Sequence, residues 1–243
     1  MKYILAFSAL FSYVTLIAQD EVVWKPASKE SQAYHEYRNK NTTPPYGLAK
    51  VKALVAKIVA DEEDDESLKP AAYNALSLRE KFTYHMINPE SFSQNCDPVF
   101  PIQDEQKKIF AYVADSFDEY NWSERQITFL KNNRDSVMTW MKESVTRTKR
   151  IGANFKHAII EINAKEMIPF LIDTYNIAKK DLDILTVLMH LMKDNKYEPF
   201  LKSASYKKLY SDDSNYMSYL AFNKNNEDLI IKRATDFYNA TKK

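Results

Sequence analysis

The sequence predicts an all-α chain, built of paired helices stacked as a short solenoid or packed as an irregular helical bundle. Three observations carry that expectation. Only two glycines, Gly47 and Gly152, occur in 243 residues, where average usage of ~7% would give about 17. Tight hairpins lean on glycine, so most all-β folds are disfavoured. Apolar residues recur at helical spacing from Leu48 onward. In the C-terminal half, apolar blocks also recur every 30 positions.

The chain opens with MKYILAFSALFSYVTLIAQD. Lys2, an apolar stretch over residues 3–17 and the small residue Ala18 have the layout of a secretory signal peptide spanning residues 1–18. The apolar core is short for a membrane span, and no second run of that length follows. The expected location is therefore periplasmic or extracellular, without a membrane span after cleavage. The remaining 225 residues (243 less 18) carry 33 basic and 33 acidic side chains once Lys2 is gone. Such a neutral chain lacks the basic excess expected of a nucleic-acid partner. Cys96 is the single cysteine, so no intramolecular disulfide is expected and the fold must rest on its core.

Residues 19–47 are polar and end in NTTPPYG, which reads as a linker or N-terminal extension, with SKESQAYHEYRNK able to form a short helix. Leu48, Val51, Leu54, Val55, Ile58 and Val59 predict an amphipathic helix over 47–60, ended by the solvated acidic run DEEDDE. Pro70 can begin the next helix, which carries Ala71, Leu76, Leu78 and Phe82 and stops before INPESFSQNCDPVFP. Asp104 can cap a further helix with Ile109, Phe110, Val113 and Phe117 on one face. Ser123 and Gln126 have the capping-box spacing, and a long helix is expected from there to about residue 146. RTKR at 147–150 and Gly152 read as its end. Residues 48–135 thus form a helical N-terminal part.

The region 136–243 shows the recurrence. Trp140-Met141, Phe170-Leu171, Phe200-Leu201 and Ile230-Ile231 share one register, and HAIIEI at 157–162, VLMHLM at 187–192 and MSYLAF at 217–222 share a second. Polar breaks lie between them, with Asp181 or Asp183 and Ser211 or Asp213 as expected caps. Stacked helical hairpins would bury both blocks in one core. With IPFL at 168–171 and EPFL at 198–201, this part resembles the HEAT family of α-helical repeats. That resemblance implies a proline that bends the first helix of each unit, and a surface suited to binding.

No motif specifies a reaction. The glycines form no phosphate cradle or dinucleotide turn. His35, His85, His157 and His190 have no second histidine at metal-ligand spacing, so neither a metal nor a cofactor is expected. Cys96 in SQNCDP lacks the cationic surroundings that activate a thiol. The leading expectation is a binding or scaffold protein of the cell envelope or extracellular space, with a protein or glycan partner. Tyrosine suits partly buried, partner-facing surfaces, which makes Tyr197, Tyr216 and Tyr219 candidate binding residues. Tyr84, His85 and Cys96 are candidates because they flank the long proline-rich loop. The alternative is a hydrolase acting on envelope or extracellular material, with its site near residues 84–97.

Overall fold

The computed structural model describes residues 26–62, 65–94 and 99–242. The expected signal peptide and Cys96 lie outside the described residues. The protein is mostly helical, with twelve α-helices and four short strands among the described residues.

Helix α1 (Lys29–Asn39) begins at Ser28, whose hydroxyl accepts the Ser31 amide. It is the short helix expected within SKESQAYHEYRNK, and it buries Tyr34 and Arg38, with Tyr34 in the main core. Gly47, in the left-handed region at φ 60°, starts α2 (Leu48–Val55). The helix expected from residue 70 is two: α3 (Pro70–Asn74) and α4 (Leu78–Ile87). The break is written in SLRE at 77–80, because Ser77 and Glu80 close a capping box that restarts the chain. Val51, Leu68, Leu76 and Tyr84 form a small second core there.

The helix expected after Asp104 does not form. Asp104 takes a left-handed φ of 53° and leads into a 3-10 turn, Glu105–Lys107. Strand β2 (Lys108–Phe110) follows; a two-residue strand, β1 (Ser91–Phe92), precedes it and pairs antiparallel with β3 (Tyr120–Asn121). The capping box Ser123/Gln126 does open a helix, α5 (Glu124–Asn132), but Asn133 interrupts it before α6 (Arg134–Thr148).

Gly152 does not end that helix by a left-handed turn. Lys149 takes that conformation (φ 56°), and Gly152 precedes α7 (Ala153–Glu161) at φ −73°. Its constraint is space. A Cβ there would lie 2.1 Å from the Thr42 amide nitrogen and 2.6 Å from the Asn41 carbonyl carbon. The Gly152 amide donates to Thr42 Oγ1 at 2.8 Å, and the Asn154 side chain donates to the carbonyls of Thr42 and Met86, both at 2.9 Å. This seam binds the segment after α1 to the start of α7.

Helix α8 (Ile168–Ala178) and the short α10 (Glu198–Leu201) have Pro169 and Pro199 in their first turns. There a missing N–H costs nothing, so the prolines start helices rather than bend them. Between them, α9 (Asp183–Asp194) is buried from Asp183 to Met192, and its buried polar residues Asp183, Thr186 and His190 each have an internal partner, in Arg38 and in the Phe110 and Ala111 carbonyls. It packs against α7, α8, α10, β2 and the long C-terminal α12 (Lys224–Thr241). The first recurring register, at 140, 170, 200 and 230, is helical throughout. The second is helical at α7 and α9 but not at 217–222. After α11 (Ala204–Tyr210), that block is a turn followed by strand β4 (Tyr219–Ala221). Strand β4 pairs antiparallel with β2, in register Ile109 to Leu220. One continuous core runs from Tyr34 to Phe237.

Gly152→Ala should therefore destabilise the fold by about 1–3 kcal/mol, the usual cost of overpacking a tight seam. Urea unfolding should show a lower midpoint with an unchanged slope.

Candidate functional site

A buried array of charges organises one end of the core. Arg38, on the last turn of α1, donates from Nε to both Asp183 oxygens at 3.0 and 3.2 Å, and from Nη1 to Glu105 Oε1 at 2.9 Å. Its guanidinium also lies over the Phe110 ring, 4.1 Å from the centroid. His35, one turn earlier on α1, places Nδ1 3.1 Å from each Glu105 oxygen. Lys156 on α7 has no exposed side-chain surface. Its Nζ is 2.6 Å from Asp181 Oδ1 and 3.6 Å from Asp183 Oδ2.

The three carboxyls respond differently. Burial pushes Glu105 up, but hydrogen bonds from His35 and Arg38 outweigh it and hold the group below its usual range. Burial acts on Asp183 too, and is overcome by the Arg38 and Lys156 charges, so Asp183 stays ionised. At Asp181 burial wins over Lys156, and the carboxyl is raised. Asp181 Oδ2 has no hydrogen-bond partner among the described residues.

Beside this array lies a cleft of about 540 Å³. Its buried lining includes Arg38, Glu105 and Phe110, with His35 partly exposed. Its exposed lining includes Val99, Phe100, Tyr112 and Tyr216, together with Asp115, Asp118 and Glu119. None of these three carboxylates forms an ion pair among the described residues. The wall at 111–114 is held from behind. His190 Nε2 and the Tyr210 hydroxyl each lie 2.9 Å from the Ala111 carbonyl, and His157 Nε2 lies 2.9 Å from the Ala114 carbonyl.

The residues expected from sequence are scattered. Tyr84 is fully buried; its hydroxyl donates to Glu90 at 2.7 Å and accepts from the Leu68 amide at 3.0 Å. Glu90 is in turn clamped by Arg125. His85 is also buried, stacked on Tyr73 with Nε2 3.2 Å from its hydroxyl, and edge-on to Phe129. Both are therefore core residues, because packing and internal hydrogen bonds occupy them completely apart from His85 Nδ1. Tyr197 packs on Phe237 in the seam with α12. Tyr219 faces outward from β4 against Phe110, beside Lys108. Of the six, Tyr216 alone lines the cleft among the described residues.

Of the cleft and array residues, Arg38, Glu105, Asp115, Asp118, Glu119 and Lys156 drew no attention in the sequence, His35 was weighed only as a metal ligand, and Asp181 and Asp183 only as helix caps. One signal was available: Lys156 sits in NFKHAII, a cation inside an apolar helix, and such a cation must be neutralised by distant acids. No group of three or more His, Cys, Asp or Glu side chains suited to a metal ion occurs among the described residues. Comparison with protein-family models, curated proteins and solved structures found no match to this chain.

Arg38→Met should cost about 3–5 kcal/mol, because it strands two buried carboxylates; equilibrium unfolding measures it. His85 predicts a pH effect. Burial, with Arg125 and Lys81 nearby, lowers its pKa from 6.5 to about 3. The folded state keeps it neutral while the unfolded chain takes up a proton below about 6.5. Stability should fall as pH drops from about 6.5 to 4.5, and His85→Phe should flatten that slope by up to ~1.4 kcal/mol per pH unit. A slope identical in the variant, measured by denaturant titration, would contradict the burial argument.

Proposed function

We propose that the protein is an exported binding protein whose cleft takes a ligand with a cationic group on an apolar body. The observation that carries this reading is the pairing of three exposed carboxylates, none in an ion pair among the described residues, with Phe100, Tyr112 and Tyr216 around one cavity. Arg38 and Glu105 neutralise one another at the buried end. The field in the cleft is thus set by Asp115, Asp118 and Glu119. Carboxylates attract a cation, and aromatic faces add roughly 0.5–1 kcal/mol each at exposed sites. A cavity of this size suits a small ligand or a single side chain. The signal-peptide layout of residues 1–18 supports placing this activity outside the cytoplasm. A free amine and a Lys or Arg side chain of a protein partner share the required chemistry. The cleft, rather than a concave solenoid surface, is the binding region in this reading, because strand β4 (Tyr219–Ala221) stands where a further stacked helix was expected.

A hydrolase is the second reading, and one observation favours it. Glu105 occupies His35 Nδ1, which leaves Nε2 as the ring nitrogen available to the cleft. A histidine oriented by a buried carboxylate is a common general-base arrangement. The site would then be this cleft rather than residues 84–97.

Calorimetry with 2-phenylethylamine, phenylacetate and an arginine-containing dipeptide tests the binding reading. The amine or the dipeptide should bind, phenylacetate should not, and the double variant Asp118→Asn/Glu119→Gln should weaken binding at least tenfold, or about 1.4 kcal/mol. Equal binding of amine and carboxylate, or affinity unmoved by the double variant, would overturn it. Turnover of the phenyl ester of glycine, abolished by His35→Gln, would favour the hydrolase.

A further inference from the structure

Outside the cleft, the interior brings one lysine and two aspartates together. Lys156 Nζ lies 2.6 Å from Asp181 Oδ1 and 3.6 Å from Asp183 Oδ2, with Lys156 fully enclosed and the two acids nearly so. We infer that Lys156 and Asp181 condense after folding into an intramolecular amide, with Asp183 as the group that relays the proton.

The balance needs no outside reagent. A proton passes from the Lys156 ammonium to the neighbouring Asp181 oxygen, giving a neutral amine and a carboxylic acid. The Nζ lone pair attacks Asp181 Cγ and a C–N bond forms. Asp183 takes the next proton from nitrogen and delivers it to the departing hydroxyl. The Cγ–O bond breaks, one water leaves, and Asp183 ends unchanged.

Several features favour this over a lasting ion pair. Two charges held out of water are costly unless every remaining donor and acceptor is paired, and Asp181 Oδ2 has no partner among the described residues. Condensation removes both charges from the core. The environments also push the two acids apart. Asp181 is raised toward its neutral, attackable form, while Asp183, paired with Arg38, is held ionised as a base. Divergent neighbouring carboxyls of this kind mark acid and base roles. Holding nucleophile and carbon together replaces a very high concentration of free amine. The link would tie α7 to the residue two before α9, 25 positions apart. It would restrict the unfolded chain as a disulfide does, in a chain whose single cysteine cannot form one internally.

Digestion and mass mapping of the folded full chain test this. The expected product is one branched species that joins the Lys156 and Asp181 peptides. It should be lighter than their sum by one water, with trypsin unable to cut at Lys156. Asp181→Asn supplies a second, independent check. It should release ammonia instead of water and converge on the same branched species. Lys156→Met should give separate peptides and a lower thermal midpoint. Separate peptides at full mass from folded wild-type protein, confirmed folded by circular dichroism, would overturn the inference. So would a water lost as a cyclic imide confined to the Asp181 peptide.

Discussion

A lysine and an arginine taken out of water must be met by acids from two distant parts of the chain, and this requirement fixes how the protein is assembled. Arg38 and Lys156 approach Asp183 from α1 and α7, while Glu105 and Asp181 complete their neutralisation. The five side chains come from four separate segments. None can leave without stranding an opposite charge in a medium that solvates it poorly. That is a geometric constraint more than a source of net stability, since an apolar replacement of such an array is often neutral or better. What the array specifies is register: α1 must end where Arg38 can straddle Glu105 and Asp183, and α9 must begin at Asp183.

The constraint passes to the cleft through shared residues. Arg38 and Glu105 belong to both, and the Gly152 seam holds the segment after α1 against α7 at a spacing no side chain could tolerate. The opposite wall depends on two histidines, His190 buried and His157 half-buried. Burial lowers the pKa of His157 and His190, so each keeps an uncharged ring against the backbone carbonyls of Ala114 and Ala111. Acid that charges these rings on unfolding works against the same wall, so the cleft is coupled to the pH sensitivity of the core.

Local signals in the sequence were readable, and long-range ones were not. Helices α7, α8 and α9 follow from apolar spacing, and the Ser123/Gln126 box from its hydroxyl and amide. SLRE at 77–80 carried the same box and would have split α3 from α4. MSYLAF was misread because six residues with several apolar side chains fit a helix or a strand. Its exposed–buried–exposed alternation at Tyr219, Leu220 and Ala221 appears only when β2 is there to pair with it. Asp181 and Asp183 look like helix caps in isolation. Their buried role depends on Arg38, 145 positions from Asp183, and on Lys156, and no local pattern encodes such a separation. The cleft was hidden for the same reason, since its lining comes from residues 35–39, 99–119 and 216–217.

The electrostatics of the cleft follow from which charges are paired within the fold. Arg38 is fully committed to Glu105 and Asp183, so its charge is cancelled within a few ångströms and offers little to an incoming anion. Asp115, Asp118 and Glu119 stand on an exposed segment, and Asp118 is held in a left-handed turn at φ 53°. They carry charge without a cationic partner among the described residues. In a chain whose opposite charges are nearly equal in number overall, this local imbalance acts over roughly one Debye length, about 8 Å at physiological salt. That range matches the width of a small cleft. A cation drawn in over that distance meets Tyr112, Tyr216 and Phe100 at the same mouth, so attraction and apolar contact act on one ligand together.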